Sequence, residues 1–161
     1  MESRWMDLAV FLASLLALAL RPALWGYLLA LAISTLSFKR LIWIRANIVY
    51  ISMALLIYAV AFAVDLLTGP KGLPADLLVA DVLAPVVEEV VFRGLAFKVL
   101  PRWGAFFIST AVFAVLHPYP LLAFVYALAL TFAYLGGGLS ASIALHAANN
   151  IIWTAIYLGL L

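Results

Sequence analysis

Cysteine is absent from all 161 residues. That excludes disulfides, thiolate metal sites and a cysteine nucleophile. Charge is nearly as scarce: Asp, Glu, Lys and Arg make up 10% of the chain, against about 25% in ordinary soluble domains. The formal net charge of +2 is small and scattered, so the composition does not read as nucleic-acid binding and no nucleic-acid partner is expected. Alternating patterns are also missing. AFFISTAVFAVL and FVYALALTFAYL show no period of two, which argues against a β-barrel. The first 22 residues do not read as a cleaved leader, because Glu2 and Asp7 are among their few charges and no small-x-small exit follows.

What is present is apolar surface. Hydrophobic residues make up 69% of the chain, where about 45–50% is usual, and mean hydropathy is +1.24. The length suggests one domain. About seven hydrophobic segments follow one another: Leu8 to Leu20, Ala23 to Phe38, Leu41 to Val64, Leu77 to about Leu100, Trp103 to His117, Leu121 to Leu135, and Leu139 to Leu161. The first two fall short of the ~20 residues of a full span. In lipid every backbone polar group must be satisfied within the segment, so helices are expected. The fold class is all-α, a polytopic transmembrane helical bundle. Its partner is the lipid bilayer, with the plasma membrane as the expected location.

The charges that remain suggest an orientation. Arg4, Lys39, Arg40, Arg45, Lys98 and Arg102 fall on one side of a seven-span arrangement, and Arg21 and Lys71 on the other. The positive-inside rule then places the amino terminus in the cytoplasm. Arg45 reads as an anchor that snorkels to the headgroups. A polar connection, Asp65 to Asp76, is punctuated by Gly69-Pro70, Gly72 and Pro74. It separates an amino-terminal part, residues 1–75, from residues 76–161, which hold nearly all the buried-type polar groups.

Those groups begin with PVVEEVVFRG, Pro85 to Gly94. A carboxylate inside an apolar span is costly and marks a functional site by default. Glu89 and Arg93 are spaced i,i+4 and can pair, which leaves Glu88 with no cation at helical spacing. Pro85 is expected to kink the helix or open its hydrogen bonding beside the carboxylates. His117 closes the fifth segment, with Phe113 one turn before it. His146 and Asn150 share a face of the seventh, and Asn149 need not join them.

Each residue has an ordinary structural explanation. A lone intramembrane histidine or asparagine commonly bonds helix to helix, and Glu89 with Arg93 can be a buried structural pair. Taken together, a carboxylate, two imidazoles and an amide are the components of a hydrolytic site: one group takes a proton from water, and others donate to an oxyanion. Glu88, His117 and His146 equally fit a His₂Glu zinc site with an open position. On the residues alone both schemes stand.

Three stretches, EEVVFR (Glu88 to Arg93), FAVLH (Phe113 to His117) and HAANN (His146 to Asn150), match EExxxR, FxxxH and HxxxN in order. This set resembles the CAAX-processing and bacteriocin-immunity-related intramembrane proteases, the type II CAAX endopeptidase-like family, over about Asp76 to Leu161. The resemblance implies an intramembrane endopeptidase with a catalytic core over 76–161 and an amino-terminal part over 1–75. It gives Glu88 the role of activating water, lets His117 share that water, and associates His146 and Asn150 with the oxyanion. Glu89 and Arg93 become the supporting carboxylate and arginine. The family also includes proteins described as metalloproteases. The metal-free account is preferred here because no compact third ligand motif such as HExxH is present; on that account no cofactor is required, and zinc is the alternative. The expected substrate is a membrane-associated protein or peptide, with no implication that it is prenylated. The competing readings are a non-catalytic immunity or scaffold protein that keeps the pocket, and a proton-linked transporter.

Overall fold

The computed structural model describes residues 2–20, 23–68 and 72–161. Arg21-Pro22, Gly69-Pro70 and Lys71, which the sequence places at chain turns, lie outside them. Among the described residues there is no strand. Helix α1 is Glu2–Leu18 and α2 is Ala23–Ser34, the latter extended by a 3₁₀ stretch, Thr35–Arg40. Helix α3 is Ile48–Thr68. Helix α4, residues 79–99, alternates tight and wide turns: π over Val79–Leu83, α over Ala84–Glu89, π over Val90–Leu95 and α over Ala96–Val99. Helix α5 is Arg102–Val115 with its own π segment, Ile108–Val112. The stretch Pro120–Tyr157 is helical on both sides of Gly138, whose φ of 77° and ψ of −168° are not helical. We call the two sides α6 and α7.

They run in opposite directions. In α6, Phe132 packs on Tyr50 and Tyr126 on Tyr58, antiparallel to α3. In α7, Ser140 bonds the carbonyl of Trp43, before α3 begins, and Trp153 packs on Phe62 far along it. The reversal is closed by the extended segment that precedes α3. The N–H groups of Arg45 and Asn47 bond the carbonyls of Gly137 and Gly136, while Leu139 and Ser140 donate to the carbonyls of Ile42 and Trp43. These are the orphan groups of two helix ends, satisfied by one strand of chain. A Cβ on Gly138 would lie 2.6 Å from the Trp43 oxygen. Glycine is therefore required twice, for its conformation and for that approach.

This capping corrects the third segment. Leu41 to Val64 was expected to be helical, but 42–47 give their backbone groups to the α6–α7 turn, and α3 starts at Ile48 after an Asn47 cap on Tyr50 N–H (3.3 Å). At its other end α3 continues to Thr68. Asp65, expected to open the polar connection, is helical and 5% exposed, and accepts from Tyr126 Oη at 3.1 Å. A carboxylate that finds a hydroxyl can stay in a helix that its charge alone would end.

The core centres on α4, which is buried on every side from Val87 to Ala96. Outward faces are apolar: Trp25, Leu29, Leu56, Leu67, Trp103 and Phe107 are all exposed. Such an exterior suits lipid contact. Ile48–Thr68 is long and apolar enough to cross a membrane, with a mean hydropathy of 2.2; Pro120–Tyr157, which Gly138 divides into α6 and α7, is also strongly apolar at 1.8, and Ala23–Lys39 and Arg102–Val115 are shorter apolar helices.

Candidate active site

Two carboxylates on the buried helix α4 face different partners. Glu89 is completely buried, and its Oε1 accepts from Arg93 Nη1 at 2.9 Å and from His146 Nδ1 at 2.9 Å. Arg93, also fully buried, donates through Nη2 to the carbonyls of Ser109 (2.8 Å) and Ala127 (3.2 Å). Its guanidinium lies 4.4 Å from the centre of the Phe113 ring. One arginine thus joins α4 to α5 and α6, using the planar multi-donor geometry that lysine lacks. Phe113 also stacks on His117, with ring centres 4.3 Å apart, and meets His146 edge-on at 6.0 Å. The aromatic that opens FxxxH is the wall between the two histidines.

Glu88, 8% exposed, lies on the cavity side. Its Oε1 accepts from Tyr27 Oη at 2.5 Å, and Oε2 is 3.8 Å from His117 Nε2. His117, just beyond the end of α5, turns Nδ1 to the Phe113 carbonyl at 2.8 Å. A carbonyl only accepts, so Nδ1 carries the proton and the neutral ring offers an acceptor at Nε2. By the same reasoning His146 gives its Nδ1 proton to Glu89, leaving Nε2 for other partners.

Asn150 donates its amide to the carbonyl of Ala80 at 2.8 Å. That carbonyl is orphaned by Pro85. In the π turn the Ala84 N–H reaches back to Val79, and the next residue has no N–H to give. The backbone opening expected at Pro85 is therefore present, just before the proline, and Asn150 fills it. Asn149 does join the group, donating to Asn150 Oδ1 at 3.3 Å.

Glu88, His117, His146 and Asn150 all line one cavity of about 690 Å³, together with Tyr27 and Phe113. The sequence reading missed Tyr27. The only signal was a single phenol in the apolar stretch of α2, ALWGYLLALAIS. Among the described residues no three His, Cys, Asp or Glu side chains gather as a group that could hold a metal ion, and His146 directs one ring nitrogen at the arginine-paired Glu89.

No curated protein and no solved structure matches the chain. The family model described as type II CAAX prenyl endopeptidase Rce1-like matches residues 70–152, slightly more than half the chain. The matched stretch contains Glu88, Glu89, Arg93, His117, His146 and Asn150, the residues whose geometry is described above. The chain belongs to the type II CAAX prenyl endopeptidase Rce1-like family of membrane-embedded proteases.

Proposed function

We propose that the protein is a multi-pass intramembrane endopeptidase that hydrolyses peptide bonds of membrane-associated proteins or peptides with a glutamate-activated water. The observation that carries this reading is the pairing of Glu88 Oε2 with His117 Nε2 at 3.8 Å in the cavity. Two acceptors at that separation hold one water between them at ordinary hydrogen-bond lengths of ~2.8 Å. Donating both hydrogens, the water keeps its lone pairs for the carbonyl carbon.

Attack forms the C–O bond while Glu88 takes the water proton. The oxyanion is met by Asn150, through the amide hydrogen not used on Ala80, and by His146 Nε2 when that imidazole is protonated beside Glu89. Collapse breaks the C–N bond, and the proton on Glu88 passes to the leaving nitrogen, giving a carboxylic acid and an amine. Glu89 and Arg93 are the supporting pair. Residues 76–161 form the catalytic core and 1–75 the amino-terminal part. The chain crosses the plasma membrane about seven times, with its amino terminus in the cytoplasm.

The test is Glu88→Gln, which keeps the shape and removes the base. Against a library of membrane-derived peptides it should lose about 10²–10⁴ in turnover while remaining folded. Parent-level cleavage by that variant would sink the protease reading and leave a binding or immunity role. A chelator should leave the parent's rate unchanged; loss of activity restored by zinc would mean metal-assisted hydrolysis.

A further inference from the structure

Helix α2 lies outside the matched stretch, yet it reaches the centre of the site. Tyr27 Oη donates to Glu88 Oε1, the oxygen turned away from His117. A glutamate side chain has three rotatable bonds, and rotation of its terminal carboxylate is weakly restrained. With Oε1 held by a charge-assisted bond, Oε2 is the oxygen presented to the water. We propose that Tyr27 is a positioning residue for Glu88, and that the α1–α2 hairpin is thereby part of the catalytic apparatus. The inference rests on the protease reading given above.

The hairpin is built to place this phenol. Gly26, its neighbour, is where α2 meets α1: a Cβ there would lie 2.6 Å from the Ala17 carbonyl oxygen and 3.2 Å from that of Leu20. One turn further, Ala30 is completely buried, and near the helix end Ser34 Oγ is 3.0 Å from Ser14 Oγ. These contacts fix the rotation of α2 about its axis. Tyr27, about 100° round from Gly26, is then directed into the cavity, which it lines. Tyrosine suits the position because its ring spans the gap on only two side-chain torsions and its hydroxyl can donate where a phenylalanine cannot.

Tyr27→Phe keeps the ring and removes the donor. Measured per folded molecule on a cleaved library peptide, kcat should fall about 10- to 100-fold, with KM within roughly twofold of the parent. A purely structural role would instead lower folded yield and leave the kcat of the folded fraction intact. Parent-level kcat in Tyr27→Phe, beside an inactive Glu88→Gln, overturns the positioning role and leaves the protease reading standing. Parent-level cleavage by Glu88→Gln overturns that reading itself. A second arm needs no turnover: melting temperatures of Tyr27→Phe, Glu88→Ala and the double variant in detergent. Contacting residues give non-additive shifts, so the double variant should melt above the additive expectation. Additive shifts would overturn the pairing.

Discussion

Asn150 and the Ala80 carbonyl, 2.8 Å apart, join α7 to the point where Pro85 has broken the hydrogen-bond ladder of α4. The asparagine therefore supports the backbone that carries Glu88, besides lining the cavity. Replacing it with alanine leaves a carbonyl without its donor, at a cost of about 1–3 kcal/mol. Thermal unfolding of Asn150→Ala in detergent should show that loss. Pro85→Ala restores an N–H five residues after Ala80, so the same asparagine variant should cost less on that background. Equal costs with and without the proline would show that Asn150 is not compensating for it.

Arg93→Ala should be among the most damaging single changes. It takes the guanidinium away from Glu89, leaving His146 as a partner, and removes the donor from the carbonyls of Ser109 and Ala127. Breaking a buried pair costs ~3–5 kcal/mol, a large share of any domain's stability. Arg93→Lys keeps the charge but cannot serve three acceptors across three helices, and is expected to melt well below the parent. If Arg93→Ala melts with the parent, the pair contributes nothing to stability.

Gly138→Ala meets two obstacles, a backbone conformation essentially reserved for glycine and the Trp43 oxygen 2.6 Å from the new Cβ. Strain of this kind costs about 1–3 kcal/mol before the clash is counted. The folded fraction on size-exclusion chromatography should fall sharply. Gly104→Ala is the control: its nearest neighbour atom would be 3.8 Å away, and alanine in a helix is neutral or better by up to ~1 kcal/mol. Equal behaviour of the two variants would refute the account of the turn.

The proposed orientation is open to labelling, because a chain without cysteine accepts single cysteines cleanly. Gly72 and Lys39 are both exposed. With the amino terminus in the cytoplasm, a membrane-impermeant maleimide applied to intact cells should mark Gly72→Cys and spare Lys39→Cys. The opposite pattern inverts the topology.

Much of this protein was legible in one dimension because lipid makes polar groups expensive. Glu88, Glu89, Arg93, His117, His146 and Asn150 stand out in a chain that is 69% hydrophobic, and helical spacing alone paired Glu89 with Arg93, at 2.9 Å in the fold. The proline-opened backbone near the carboxylates was equally a local property. Local spacing is silent about partners far along the chain. It could not say that His146, 57 residues on, shares the oxygen of Glu89 that Arg93 uses, nor that Glu88 would meet a phenol from α2. Segment ends were misjudged for the same reason. Residues 42–47 are apolar enough to look helical, but their backbone groups are needed by the distant α6–α7 turn. Asp65 looks like a loop residue until Tyr126, 61 residues away, supplies a hydroxyl. Composition and period decided which residues had to be buried and that they would be helical, whereas tertiary packing decided which hydrogen-bonding groups each buried polar atom would find, since those partners come from other helices.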